Sequence, residues 1–356
     1  EYMKKNKFWS QAVQQLTPYI PGEQPISSNL IKLNTNENPY APSPKVREAI
    51  ISELDEKLRL YPDPDAFSLK NIIASKLNIQ EDQVFVGNGS DEVLAHIFYA
   101  FFKQSSPIFF PDVTYSFYKV YCSLHEIPFK QVPLADDLSI NTEQYKKPNG
   151  GIIFPNPNAP TGRLLSPTII EDLLRSNKNS VLVVDEAYID FGGISSVPLI
   201  SSYPNLLITQ SFSKSRSLAG LRVGFAVGDS SLIEALDSVK NSFNSYPLDR
   251  LAIIGAMAAF GDTKYFNVTR KKIIKSREKL SLDLIDLGFT VLPSAGNFLF
   301  VTHKKYDGAE LTLFLRENNI LIRHFDKPRI RNYLRITVGL PEQNEHLVNT
   351  IKKFTL

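Results

Sequence analysis

The chain has 356 residues, 43% of them apolar, and its 40 Lys and Arg against 37 Asp and Glu leave a formal net charge of +3. That length sets a prior of roughly two domains with sizeable cores, and the scattered, nearly balanced charge excludes a nucleic-acid tract or an acidic tail. A single cysteine, Cys122, excludes an internal disulfide framework and fits a reducing compartment.

The longest apolar run, LAIIGAMAAF (251–260), falls well short of the roughly 20 residues that span a bilayer, and the first twenty residues are polar, so a soluble cytoplasmic protein is expected. From about 42 to 239, helical patterns alternate with short apolar runs. SPKVREAIISELDEKL (43–58) reads as a helix with Pro44 in its first turn, and SDEVLAHIFYAFF (90–102) as one capped by Ser90. Strands are predicted at QVFVG (83–87), PIFF (107–110), GIIFP (151–155), SVLVVDEA (180–187), NLLITQS (205–211) and RVGFAVG (222–228). This alternation implies an α/β fold, a large domain with a mostly parallel sheet flanked by helices. A long helix follows over about 263–287, and its basic run RKKIIKSREK (270–279) reads as a solvated face. Strands at FTVLPS (289–294), NFLFVT (297–302), ILIRHF (320–325) and YLRITVG (333–339), with helices between and a last helix at 341–354, imply a smaller α+β domain. The expected division is an N-terminal arm at 1–41 packing with the small domain and a partner, a large domain at 42–250 and a small one at 251–356.

In such sheets ligands sit beyond the carboxyl ends of the strands. The unusual residues gather there: GNGSDE (87–92) after QVFV, PNPNAPTG (155–162) after GIIF, Asp185 and Tyr188 closing SVLVVDEAY, and SFSK (211–214) after NLLITQ. Taken singly, GNGSDE could be an ordinary strand-to-helix turn, and DEAY a capping acid with a surface tyrosine. Together, two sets of phosphate donors, a carboxylate and a lysine at one sheet edge match the needs of pyridoxal phosphate. A lysine bonds the cofactor's aldehyde, a carboxylate keeps its ring nitrogen protonated, and N–H, hydroxyl and guanidinium groups hold its phosphate.

Nine segments in order, LNTNENPY (33–40), YPDP (61–64), GNGSDE, PDVTYSFY (111–118), PNPNAPTG, DEAYIDF (185–191), SFSKSRSLAGLR (211–222), SAGNF (294–298) and LRITVG (334–339), run through nearly the whole chain. In these the chain resembles the fold-type I aminotransferases, and more closely the histidinol-phosphate aminotransferase family. The resemblance implies Lys214 as the cofactor-bonding lysine and proton-moving base, Asp185 as partner of the ring nitrogen, Tyr188 as donor to the ring hydroxyl and Tyr115 as the aromatic stacked on the ring. It implies phosphate contacts from the backbone of Ser90 and Asp91 and the side chains of Ser211, Ser213 and Arg222. Tyr61 of YPDP would reach the partner subunit's cofactor phosphate, which implies a homodimer with shared sites. Arg335 would grip a carboxylate as a bidentate pair.

One position departs from the family's run Pro-Asn-Asn-Pro-Thr-Gly: Ala159 stands directly before the proline, where an asparagine donates to the ring hydroxyl. Either Asn158 takes that task or Tyr188 acts alone. The five histidines show no metal-ligand spacing, so no metal is implied. The function the resemblance implies is transamination of L-histidinol phosphate with 2-oxoglutarate in histidine biosynthesis, with Tyr19, Arg323 and Arg335 on the substrate. The alternatives are an aromatic amino-acid aminotransferase, a threonine-phosphate decarboxylase of the cobalamin pathway, and a regulator that keeps the cofactor fold as a sensor.

Overall fold

The computed structural model describes residues 7–25 and 29–355. After a short strand β1 (Ile31–Lys32), seven strands build the large sheet: β2 (Val84–Asn88), β3 (Ile108–Pro111), β4 (Phe129–Val132), β5 (Ile152–Pro155), β6 (Leu182–Asp185), β7 (Leu206–Ser211) and β8 (Val223–Gly228). Their spatial order is β2-β8-β7-β6-β5-β3-β4. The five strands from β4 to β7 are parallel, and β8 runs antiparallel to both β7 and β2. The central strands are buried along their whole length, as a sheet covered on both faces requires. Alternation then separates their side chains: Ile152, Phe154, Leu182 and Val184 enter one core, and Ile153 and Val183 the other.

The reversed strand β8 serves the site directly. Gly224 lies so close to the backbone of Gly89 and Ser90 that a Cβ would collide with the Ser90 nitrogen. The glycine therefore lets the helix Gly89–Ile97 begin against the sheet.

The small sheet comprises β9 (Phe289–Val291), β10 (Phe298–His303), and, past the two-residue strand β11 (Ile320–Leu321), β12 (Arg323–His324) and β13 (Tyr333–Thr337). Its order is β12-β13-β10-β9, antiparallel throughout. The expected strand ILIRHF is thus split: Ile320 and Leu321 pair in parallel with Ile31 and Lys32, whereas Arg323 and His324 turn to β13.

Two predicted helices have different bounds. The first is Pro44–Ser52, capped by Ser43, because the Asp55 carboxylate accepts from the Lys57 N–H and starts a separate turn at Glu56–Arg59. The second begins at Gly89 with Asn88 in the cap position, which places Ser90 inside the first turn rather than at its cap, and a π-turn, Phe98–Phe102, completes it. The long helix Thr263–Asp286 buries Thr269, Ile273, Arg277, Leu280 and Leu284 at three- and four-residue spacing, and Lys271, Lys272, Lys275 and Lys279 are exposed. Among the described residues no helix is long and apolar enough to cross a membrane.

Candidate active site

A cavity of about 420 Å³ opens beyond the carboxyl ends of the parallel strands, with the small sheet on its far side. Its wall includes Ser90, Asp91, Tyr115, Asp185, Tyr188, Ser211, Ser213, Lys214 and Arg222 from the large sheet and its connections, and Tyr19, Arg323 and Arg335 from outside it. A larger groove of about 700 Å³ between the helices Thr263–Asp286 and Pro341–Thr355 holds none of the predicted site residues. Most of the predicted site residues gather in the smaller cavity.

Asp185 ends β6, buried among the sheet cores. Burial pushes its carboxyl up to about 6, against hydrogen bonds from the Ala187 N–H at 3.2 Å and the Tyr118 hydroxyl at 3.2 Å. A cation set beside it would favour its ionised form.

Lys214 follows β7, and its ammonium donates to the Thr35 carbonyl at 3.0 Å. Its own carbonyl accepts from the Asn38 side chain at 2.9 Å, and the Ser215 hydroxyl donates to Asp190 at 2.5 Å, so the turn carrying the lysine is fixed from both sides. The Ser213 N–H donates to the Ser211 hydroxyl at 3.0 Å in the same turn. Arg222 starts from a left-handed backbone (φ 53°) just before β8, and its guanidinium lies 2.8 Å from the Asp91 carboxylate. That carboxylate also accepts from the Tyr115 hydroxyl at 2.8 Å. A Cβ on Gly89 would collide with the Arg222 guanidinium, so this glycine keeps the cradle open.

These groups fit pyridoxal phosphate. A helix N-terminus, two hydroxyls, a guanidinium, a buried carboxylate at the end of β6 and a lysine amine all line one cavity. The expectation for Asn158 does not hold in this structure. The residue is wholly buried, and its amide donates to the Val113 carbonyl at 3.1 Å and the Thr161 hydroxyl at 3.0 Å. The cavity wall there consists of Ala159 and Pro160.

Arg323 and Arg335 are Cα partners across β12 and β13, so their side chains leave the same face of the small sheet. Both guanidinium groups lie 5.7 Å from the Phe325 ring centre, and Arg335 donates to the Asn34 carbonyl at 2.7 Å while its Nε is buried without a partner. Burial above all, with the Arg323 charge adding to it, lowers the Arg335 pKa. Among the described residues neither arginine forms an ion pair. Tyr19 reaches the cavity beside Phe117, ring centres 4.7 Å apart.

Tyr61 lies elsewhere: it is 79% exposed and stacks on Tyr246 at 4.7 Å, outside the cavity of its own chain. Sequence reasoning also missed three contributors. Thr35 and Glu37 of LNTNENPY line the cavity, and Tyr118 of PDVTYSFY hydrogen-bonds Asp185. Both motifs were visible, but no local pattern says which of their residues turn inward.

With this geometry in place, the comparisons with known proteins are decisive. The pattern of the family "Aminotransferase class I and II" matches residues 28–351. The chain is 58% identical to the histidinol-phosphate aminotransferase of Pseudomonas putida (strain W619) over 346 residues, 97% of this chain and 99% of that one. Among solved structures, histidinol-phosphate aminotransferase from Sinorhizobium meliloti, in complex with pyridoxal-5'-phosphate, superposes with a TM-score of 0.86 at 22% identity, over 99% of this chain and 100% of that one. L-threonine-O-3-phosphate decarboxylase from Porphyromonas gingivalis also superposes, with a TM-score of 0.81 at 25% identity over 91% of this chain and 99% of that one. The fold is therefore common to both activities, and the sequence relatives separate them. The chain belongs to the class I and II aminotransferases and, within them, to the histidinol-phosphate aminotransferase family.

Proposed function

We propose that this chain is a pyridoxal-phosphate-dependent aminotransferase that transfers the amino group of L-histidinol phosphate to 2-oxoglutarate, giving imidazole acetol phosphate and glutamate. The observation that carries the substrate reading is the pair Arg323 and Arg335, two cations side by side in the cavity that holds Lys214, with no carboxylate paired to either among the described residues. Such a pair suits a doubly charged phosphomonoester, and Arg335 suits the carboxylate of an oxo-acid in the second half-reaction.

When bound, the cofactor supplies an electron sink for the bond broken at the amino-bearing carbon. Ser211, Ser213, Arg222 and the first N–H groups of the helix Gly89–Ile97 would hold its phosphate, and Asp185 its ring nitrogen. Tyr188 would donate to its ring oxygen and Tyr115 would cover the ring. Lys214 would hold the cofactor's aldehyde carbon and serve as the base that moves the proton at the substrate carbon; the Thr35 carbonyl accepts from its amine and orients it. Tyr19 would close the substrate side.

An aromatic donor needs no second arginine. Arg323→Ala should therefore lower kcat/KM for histidinol phosphate by about tenfold for each 1.4 kcal/mol of lost phosphate binding and change that for phenylalanine little. Equal losses for both donors would reject the phosphate reading.

Exposed Tyr61, with Leu54, Leu58, Leu60 and Phe67 also exposed near it in the sequence, supports a homodimer in which Tyr61 completes the neighbouring site. Mixed Tyr61→Ala and Lys214→Ala chains should regain activity, because one hybrid site carries neither change. A fully active monomer in sedimentation would refute the shared site.

A further inference from the structure

The segment 34–38 has no catalytic side chain of its own, yet it touches groups of both sheets. Asn36 stands at its centre, 1% exposed, in the left-handed backbone region at φ 56°, which asparagine tolerates better than most residues. Its backbone N–H donates to the Thr337 hydroxyl at 3.0 Å, and its carbonyl accepts from the Asn297 amide at 3.0 Å. The Thr337 hydroxyl in turn donates to Asn36 Oδ1 at 3.0 Å. With Oδ1 committed to that donor, Nδ2 faces the other way and donates to the Tyr188 hydroxyl oxygen at 3.1 Å. Among the described residues this amide is the one group at hydrogen-bond distance from that oxygen.

A phenol that accepts an N–H at its oxygen keeps its own proton for another acceptor. We propose that Asn36 is a positioning residue for Tyr188, fixing its hydroxyl as a donor into the cavity, toward the ring oxygen of the bound cofactor. The need is specific to this chain's wall. Ala159 has no donor, and Asn158 spends its amide on Val113 and Thr161, so Tyr188 answers the ring oxygen without an asparagine beside it. The inference rests on the proposed cofactor.

The test is Asn36→Asp, which keeps an acceptor for Thr337 and tolerates the same backbone. Its carboxylate would accept the Tyr188 proton instead of donating to the oxygen, turning that proton away from the cofactor. The readout is the pH midpoint of the visible absorption change of the protein-bound cofactor. A donor to the ring oxygen favours its deprotonated form, so losing the donor raises the midpoint. Asn36→Asp should raise it by about one unit, a tenfold change in the equilibrium constant, and by less than a third of that in a Tyr188→Phe background, where only the added charge acts. Equal shifts in the two backgrounds, or none in either, would overturn the proposal. Should Asn36→Asp not melt cooperatively, Asn36→Gly takes its place, with a smaller rise that must vanish in the Tyr188→Phe background. A parent protein that gains no visible absorption with pyridoxal phosphate would overturn the cofactor reading instead.

Discussion

The two ends of the cavity are held together in opposite ways. At the large-sheet end, charged side chains are already matched: Arg222 with Asp91, Asp91 with Tyr115, and Asp185 with Tyr118. At the small-sheet end, Arg335 is held by a backbone carbonyl and keeps its Nε unpaired, and Arg323 has no ion pair among the described residues. A permanently bound group is served by fixed, pre-paired contacts. Under the proposed function, two substrates that enter alternately would be served by donors left free, because Arg335 could exchange a phosphate for a carboxylate without breaking an internal ion pair.

Removing the cation at the boundary should produce the largest effect. Lys214→Ala is expected to show no turnover above background, while the phosphate cradle still retains the cofactor through dialysis. Turnover near that of the parent would place the chemistry elsewhere.

Asp185 sharpens the contrast through pH. Its carboxyl is raised to about 6 from an ordinary 3.8, so between these values the folded chain binds a proton that the unfolded chain has lost. Stability therefore falls as pH rises across that window, and the full cost of roughly 3 kcal/mol persists above it in the cofactor-free protein. Asp185→Asn should raise the Tm of the cofactor-free protein at pH 7.5 and leave it nearly unchanged near pH 4. Under the proposed role of Asp185 beside the ring nitrogen, the same change should cut turnover by at least about a hundredfold. A lowered Tm at pH 7.5 would contradict the burial argument.

A smaller effect is expected at Asn38, whose amide donates to the carbonyls of Lys214 at 2.9 Å and Ser215 at 3.4 Å. Asn38→Ala removes the bond that steadies the lysine turn, for about 1 kcal/mol of stability and a few-fold loss in kcat with KM little changed. A rise in KM alone would assign Asn38 to the substrate end.

The large-sheet end was legible in the sequence because its groups stand at strand ends, Asp185 closing β6, Lys214 just past β7 and Arg222 just before the reversed β8, and parallel strands bring their carboxyl ends to one edge. Lys214, Asp185 and Arg222 needed no long-range information. The arginine pair was half legible: RHF and LRITVG marked the residues, but their pairing depends on the register Arg323 with Arg335 across a connection with no pattern of its own. Asn36 was not legible at all, since its partners Tyr188, Asn297 and Thr337 lie more than 150 positions away. The Asn158 expectation failed for a related reason. The motif could not tell whether that amide faced the cavity or the Val113 carbonyl behind it.

The run that begins at β1 carries one further consequence, for how this chain tolerates change. Pairing of Ile31 and Lys32 with Ile320 and Leu321 fixes where it starts, and the next carbonyls are allotted one apiece, Asn34 to Arg335, Thr35 to Lys214, Asn36 to Asn297. A side-chain exchange there acts at its own position, whereas a change in the count acts on all of these bonds at once. A single inserted or deleted residue between Lys32 and Asn36 would hand every carbonyl to the wrong recipient, so this stretch acts as a ruler whose length is under stricter constraint than its composition.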